Sequence, residues 1–364
     1  MKGYFRKRGD KWSFTLDIGR DPITNKRKQK TASGFATKKE AQKACAELIT
    51  EIERGNGTAV MAKDTVGEFM LNFLENTVQQ NVAQNTYEGQ LAYAKNHIIP
   101  HIGHIKLNKL TPMDIQKMYK ALTDQGFSAG HIQNIGNLVT KTIRTAVEWG
   151  YMSKDVAAVA KKPSYKQPKM KVWTMEEAQR FLDATKECRY HVVYMLALST
   201  GMRKGEILGL QWDHIDFKNR NIHVQQTIVY AGNQLYLKPP KTEGSKRTIS
   251  IPEQVVKYLR SYKMKQVPNS LNLVVTGSKM ELLYPSALDK HYDHDIALAD
   301  VPRIRFHDMR HTHATTLLQL GENPKVVQER LGHASINVTL NTYSHVLPNM
   351  QKSAAEKLDS AFSF

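Results

Sequence analysis

The sequence predicts a multidomain α+β protein: an N-terminal three-stranded sheet with one helix, an all-α block, and a mainly α block with a small antiparallel sheet. Three observations predict this. The chain has 364 residues, long for one domain and comfortable for two or three. Its hydrophobic fraction of 41% is enough for ordinary packed cores. The spacing of its apolar residues changes along the chain, from alternation, to helical spacing, to a mixture of both.

Residues 1–60 form the first block. "YFRKRGDKWSFTLDIG" alternates about a Gly-Asp turn, as a hairpin does. "DPITNK" is a second turn and "RKQKTAS" a third strand. In "TKKEAQKACAELITEIERG", Thr37 stands at an N-cap and Glu40 three residues on, a capping box. Trp12 and Phe14 are read as the small core under that helix. Residues 64–160 form the second block, where "TVGEFMLNFLEN", "NTYEGQLAYAKNHIIPHIG", "TPMDIQKMYKALTDQG" and "SAGHIQNIGNLVTKTIRTAVEWGYM" all carry helical spacing. Thr111 before Pro112 reads as an N-cap with proline at the first helical position. His97, His101, His104 and His131 show no metal spacing and are expected at the surface.

Residues 161–171, "KKPSYKQPKMK", hold five lysines, two prolines and no acid, the composition of a linker. "TMEE" from Thr174 then caps a new helix, and residues 172–348 form the third block. There "RNIHVQQTIVY", "NQLYLKPP" and "SKRTISI" read as strands among helices. Residues 349–364 read as a short helical tail with few anchors, which could dock on its own domain, on a neighbouring subunit or nowhere.

Charge points to the partner. Lys+Arg number 52 against 34 Asp+Glu, a formal net charge of +18. Residues 1–43 alone hold thirteen Lys/Arg and four Asp/Glu. Such an excess fits a polyanion, and nucleic acid is the commonest soluble one. The basic residues expected on DNA are Arg6, Lys7, Arg8, Lys11, Arg27 and Lys28 of the sheet, with Lys161 and Lys162 of the linker. The two cysteines, Cys45 and Cys188, imply neither a disulfide framework nor a metal motif. The start of the chain lacks the apolar run of a signal peptide, and the longest apolar run, residues 192–198, is too short to span a bilayer. A cytoplasmic protein without membrane contact is expected.

Five stretches of the third block carry unusual polar residues: Arg203 in "TGMRKGEILGL", Lys241 in "PPKTEGSKRTISI", His307 and Arg310 in "HDMRHTHA", His333 in "RLGHAS", and Tyr343 in "NTYSHV". Taken singly, each has an ordinary reading as a surface, capping or core residue. His307 and His311 have zinc-like spacing, yet Asp308 stands where a zinc protease helix needs Glu, and Arg310 on the same face repels a cation. An anion fits better. His307 and Arg310 share the first turn of a helix, whose N-terminus favours negative charge. Arg203 adds a second guanidinium fork suited to phosphate, His333 another donor, and Lys241 a proton donor on a hairpin. Tyr343 is the candidate nucleophile: a free phenol with pKa about 10 is inert at neutral pH, and neighbouring arginines favour its phenolate.

Over residues 201–345 the chain resembles the tyrosine recombinases, the integrase family of site-specific DNA recombinases. "TGMRKGE", "PKT", "HDMR", "LGHAS" and "TY" stand in that family's order, with Tyr343 ten residues after His333. Only Met309, where Leu is more usual, departs from the pattern. The first two blocks are similar in layout to the arm-binding and core-binding domains of phage-type and conjugative-element integrases.

The resemblance implies the tyrosine recombinase fold and a mechanism without metal, ATP or other cofactor. Arg203, Arg310, His307 and His333 hold the scissile phosphate, Tyr343 forms a 3′-phosphotyrosine, Lys241 protonates the leaving 5′-oxygen, and His307 helps take the tyrosine proton. Glu206 is expected to orient Arg203, and His311 to support Arg310. His313 is read as structural. The implied partners are double-stranded DNA at core-type and arm-type attachment sites, three further copies of the chain in a tetramer, an excisionase and a host DNA-bending protein, the active complex sitting on the nucleoid of a bacterial host. A type IB topoisomerase, a non-catalytic DNA-binding regulator and a metal nuclease are the competing readings.

Overall fold

A computed structural model of the chain describes residues 3–20, 27–53, 64–165, 170–232, 234–239 and 246–343, with residues 355, 358, 359, 361 and 362 beyond them. The chain divides into two units, Met1–Gln167 and Pro168–Phe364.

The chain begins with an antiparallel sheet in the order β1 (Gly3–Arg8), β2 (Lys11–Arg20), β3 (Arg27–Phe35), followed by α1 (Lys38–Glu53). Gly9, at φ 60°, makes the first turn. Alternation places Phe14 and Leu16 on the face that meets Ala41 and Cys45 of α1, with Phe5 and Trp12 packed beside them. Phe14 stacks on Phe35 with ring centroids 5.8 Å apart, and Lys38 Nζ lies 5.7 Å over the Trp12 ring. The sheet aromatics are therefore core. At the start of α1, the Glu40 N–H donates to Thr37 Oγ1 at 3.2 Å and the Glu40 carboxylate accepts from the Ala36 N–H at 3.0 Å.

Next comes a helical block of α2 (Val66–Phe73), α3 (Gln84–Tyr93), α4 (Pro112–Asp124) and α5 (Ala129–Glu148). Both α2 and α3 run on through π-type turns, Leu74–Val78 and Ala94–Ile98. Thr111 caps α4 in a reciprocal box with Asp114. Positions spaced three and four apart, Ile115, Met118, Tyr119 and Leu122 of α4 and Ile132, Ile135, Val139 and Ile143 of α5, bury one common core. His97 and His131 depart from the surface position expected of them. Both are half-buried, with ring centroids 5.3 Å apart, against Tyr93 and Phe127.

The expected linker is not free along its whole length. The Lys161 N–H donates to Gln116 Oε1 at 3.1 Å, the Lys161 carbonyl accepts from Gln116 Nε2 at 3.2 Å, and the Pro163 carbonyl accepts from Gln133 Nε2 at 3.0 Å. Lys162 Nζ reaches Asn137 at 2.8 Å. A proline-lysine stretch still offers backbone groups, and glutamines on α4 and α5 satisfy them. Residues 166–169 of this stretch lie outside the described residues.

In the second unit, α6 (Met175–Ala184), α7 (His191–Thr200) and α8 (Lys204–Leu208) come first. Thr174 and Glu177 form the capping box that opens α6. The sheet region differs from the single sheet expected. β4 (Ile215–Asp216), β5 (Asn221–Val224) and β8 (Arg247–Ser250) form one antiparallel sheet, while β6 (Thr227–Ala231) and β7 (Gln234–Lys238) form a separate hairpin. The break at Gln225 and Gln226 lets β6 lie on α8. A Cβ at Gly205 would stand 2.6 Å from Thr227 Oγ1, so only glycine admits that approach. Helices α9 (Glu253–Lys265), α10 (Pro285–Ala299), α11 (Asp308–Gln319), α12 (Pro324–Leu331) and α13 (Ile336–Tyr343) follow. The core gathers Phe181, Tyr194, Leu196, Leu208, Ile249, Leu288 and Met309.

Candidate active site

α7 ends at Thr200, and the chain reverses through Gly201 at φ 67°. A Cβ there would meet His313 Cδ2 at 2.6 Å, and positive φ disfavours other residues. This turn delivers Arg203 to the N-cap position of α8. Glu206, one turn on, accepts from the Arg203 N–H at 2.9 Å and from its guanidinium at 2.8 Å. Glu206 is only 3% exposed. Burial alone would raise its pKa, but the hydrogen bonds and charges of Arg247 and then Arg203 hold it below the usual carboxylate range.

α11 carries the second cluster. Asp308 opens it, accepting from the Arg305 backbone N–H at 2.9 Å and from the Arg305 guanidinium at 2.8 and 3.0 Å. Arg310 is 2% exposed. It donates to the Gly201 carbonyl at 2.6 Å and the Leu331 carbonyl at 2.5 Å, which ties α11 to the Gly201 turn and to the end of α12. His307 precedes the helix at the surface, its ring edge-to-face with that of His311 at 5.0 Å. Among the described residues no group of three His, Cys, Asp or Glu side chains is arranged to hold a metal ion.

His313 lies deeper. Its Nδ1 is 2.8 Å from the Leu198 carbonyl and its Nε2 accepts from Arg330 at 3.1 Å. A carbonyl only accepts, so Nδ1 carries the proton and the ring is neutral. His333 follows α12, with Nδ1 2.9 Å from Thr339 Oγ1. Burial pushes His311, His313 and His333 down to about 4; the next causes are His307 for the first, Arg330 for the second and Arg310 for the third. His307, although it reaches the surface, is lowered as well, by desolvation among the packed residues around it and then by the charge of Arg310. The site therefore presents guanidiniums and neutral imidazoles, a field that favours an incoming anion.

Three family models match the chain: an arm DNA-binding domain over residues 4–52, a phage integrase N-terminal SAM-like domain over residues 65–123, and the phage integrase family over residues 171–350. A tyrosine recombinase XerC-like protein of Caldanaerobacter subterraneus is 30% identical over 388 residues, covering 99% of this chain and 98% of that protein. The chain belongs to the tyrosine recombinases of the phage integrase family. The ICEBs1 integrase of Bacillus subtilis is 28% identical, covering 96% of each chain. Among solved structures, the Tn1549 transposon integrase in complex with a circular intermediate DNA matches with a TM-score of 0.72 at 21% identity, covering 81% of this chain and all of that one. A lambda integrase dimer bound to a core site matches with a TM-score of 0.61 at 17% identity, covering 94% of each. This recombinase thus cuts and rejoins DNA in site-specific recombination.

The recombinase's structure brings Arg203, Glu206, His307, Arg310, His311 and His333 together. The helix that bears Tyr343 spans Ile336–Tyr343, and the tyrosine side chain, Lys241 and the side chain of Lys28 lie outside the described residues. In the sheet, Arg6, Lys7, Arg8 and Lys11 are exposed. Arg27 instead pairs with Asp17 across β2 and β3 at 2.5 Å. Among the described residues no helix is long and apolar enough to cross a membrane.

Two arginines escaped the sequence reading. Arg247, 6% exposed, donates to both Glu206 oxygens at 3.1 and 2.8 Å. Arg330 donates to the Ser199 and Ser250 carbonyls at 2.9 and 2.8 Å as well as to His313. For Arg247 a signal existed: alternation places it on the same strand face as Ile249, a charge among core positions.

Proposed function

We propose that this recombinase integrates and excises a phage or other mobile element through a covalent 3′-phosphotyrosine intermediate formed on Tyr343. The observation that carries the reading is the convergence of Arg203 and Arg310 on the end of α12, beside His333, which stands ten residues before Tyr343. Guanidiniums anchored on carbonyls and a carboxylate are held in place before the substrate arrives, the arrangement that stabilises charge growing on a phosphoryl group.

In this reading, Tyr343 Oη attacks phosphorus in line, an Oη–P bond forms and the P–O5′ bond breaks. Lys241 supplies the proton to the leaving 5′-oxygen, and His307 takes the phenolic proton. The 5′-hydroxyl of a partner strand then attacks phosphorus and releases the tyrosine. One phosphodiester-like bond replaces another, so the exchange needs no ATP. Arg203, Arg310 and His333 clamp the non-bridging oxygens.

We assign residues 1–60 to arm-type DNA sites, residues 64–160 and 172–348 to core-type sites, and residues 161–171 to the basic connection between them. Arg6, Lys7, Arg8 and Lys11 are the arm contacts, joined by Arg27 and Lys28, while Lys161 and Lys162 meet DNA from the connection. A lambda integrase tetramer is known bound to a Holliday junction. A tetramer of this chain, with residues 349–364 exchanged between subunits, is the corresponding assembly. Bridging arm and core sites requires bent DNA, which an excisionase and a host bending protein would supply in the bacterial cytoplasm, on the nucleoid.

The test is a covalent adduct. The purified protein is mixed, in EDTA, with nicked duplexes tiled across the ends of the element that encodes it, and resolved on a denaturing gel. A DNA-linked band with the wild type and none with Tyr343→Phe is expected. Metal-dependent nicking that survives Tyr343→Phe would overturn the assignment.

A further inference from the structure

Helix α12 ends in three consecutive carbonyls, and a different guanidinium takes each. Arg247 Nε donates to the Arg330 carbonyl at 2.7 Å, Arg310 to the Leu331 carbonyl at 2.5 Å, and Arg203 to the Gly332 carbonyl at 3.1 Å. Last-turn carbonyls lack helical partners and carry the negative end of the helix dipole, so this end organises cations. Gly332 makes the geometry available. It sits at φ 67°, and a Cβ there would stand 3.1 Å from Arg247 Cδ and 3.3 Å from one of its guanidinium nitrogens. His333 follows directly, so the same hub that orders the arginines sets where His333 begins.

Arg203 and Arg310 belong to the site already described. Arg247 lies beneath them. Its terminal nitrogens bind both oxygens of Glu206, whose carboxylate in turn holds the backbone N–H and guanidinium of Arg203. Arg203, at 38% side-chain exposure, faces solvent; Arg247, at 6%, does not. Arg247 thus joins β8, α8 and the end of α12.

We propose that Arg247 is a positioning residue of the recombination reaction: through Glu206 and the Arg330 carbonyl it fixes the orientation of the Arg203 guanidinium and of His333 toward the scissile phosphate. It does not touch the phosphate. The proposal rests on the reading of Arg203 and His333 as the phosphate clamp. It accounts for a second arginine on Glu206, buried where Arg203 is exposed.

The consequence lies in pH. With Arg247 present, Glu206 is ionised and Arg203 keeps a charged anchor. Replacing Arg247 by Met removes that partner while Glu206 stays buried, so Glu206 takes up a proton at higher pH and Arg203 loses its anchor as pH falls.

The experiment measures single-turnover adduct formation on the nicked duplexes from pH 5.5 to 8.5, for the wild type, Arg247→Lys, Arg247→Met, and Arg247→Met combined with Glu206→Gln. Melting temperature and duplex affinity are measured alongside. We expect Arg247→Met to cleave roughly 10- to 100-fold more slowly than the wild type at pH 8, with duplex affinity within about 2-fold because the guanidinium makes no phosphate contact. Its rate should fall further below pH 7 in a limb the wild type lacks. The double variant should lose that limb, and Arg247→Lys should recover part of the rate. Wild-type rates in Arg247→Met, or a loss equal at every pH that tracks a lower melting temperature, would overturn the proposal. Absence of adduct with the wild type itself would instead overturn the phosphotyrosine reading.

Discussion

The helical block of residues 64–160 and the second unit bury very different things. Among the described residues, Thr142 is the one buried polar residue of the helical block. Its interior is Leu, Ile, Met, Phe and Val on helices with plain three-four spacing. The second unit buries Glu206, Asp295, Asp308, Arg310, His191 and His313 along with its apolar core. Burying ionised groups costs several kcal/mol unless each finds partners, and here each guanidinium is met by carbonyls or a carboxylate. The first region is built to be stable and the second to hold charges in fixed positions. Substitutions should therefore fail differently in the two regions.

The largest effect is expected at Arg310. Arg310→Ala should slow adduct formation by about 10²–10³-fold or more, the scale for removing one anchored donor from a developing oxyanion. It also leaves the Gly201 and Leu331 carbonyls without that partner. Single-turnover rates decide it, and a loss under 10-fold would detach Arg310 from the chemistry. In the helical block, Leu122→Ala should cost about 2–5 kcal/mol of that block's stability by leaving a cavity, measured by denaturant unfolding. The chemical step on pre-bound DNA should be little changed. A selective loss of rate there would erase the contrast.

Acid should weaken the second unit more than the helical block. His313 sits at about 4 when folded and near the ordinary 6.5 when unfolded, so the unfolded chain binds the proton more readily. The stability gained from keeping it neutral is complete above the unfolded value and falls as pH drops from there toward 4. One buried group of this kind makes pH 5 about 2 kcal/mol less favourable than pH 7. Melting curves of His313→Gln should show a flatter acid limb than the wild type.

A smaller effect concerns binding. His311 and His333 are neutral at pH 6 because burial and neighbouring cations oppose charging. A phosphodiester among Arg203, Arg310 and His333 reverses part of that field, so binding should take up a fraction of a proton. Calorimetry at pH 6 in buffers of different ionisation heat should detect it, and His333→Gln should reduce it. The smallest effect is at Arg27 and Asp17, both substantially exposed. Asp17→Asn should change stability by under about 1 kcal/mol, and Arg27→Ala should lower the salt dependence of arm-site binding by about one ion if Arg27 meets a phosphate.

Much of the site was legible because short motifs carry local geometry. "TGMR" encodes a left-handed turn and the arginine after it. "HDMR" encodes a shared helix face, and "LGH" a helix end followed by a donor. The hairpin of β1 and β2 followed from alternation about Gly9, and α4 from Thr111 and Pro112. His97 and His131 differ from expectation because a histidine is polar in sequence, while the rings here pack against Phe127 and Tyr93 as aromatics.

By itself the sequence determined the order of elements, the helix caps, the basic character of the first block and six of the side chains that the fold gathers, Arg203, Glu206, His307, Arg310, His311 and His333. Each of these depends on neighbours within a few positions, where propensity, capping and charge act directly. Tertiary structure decided what those residues are anchored to. It split the expected sheet at Gln225 and Gln226, folded Lys161 and Pro163 onto helical glutamines, and brought Arg247 and Arg330 beneath the site. Arg247 stands 41 positions from Glu206 and 83 from the Arg330 carbonyl, and only the packing of β8 against α8 and α12 closes those distances. A buried charge must find its partners wherever the fold supplies them, and no local pattern records where that is.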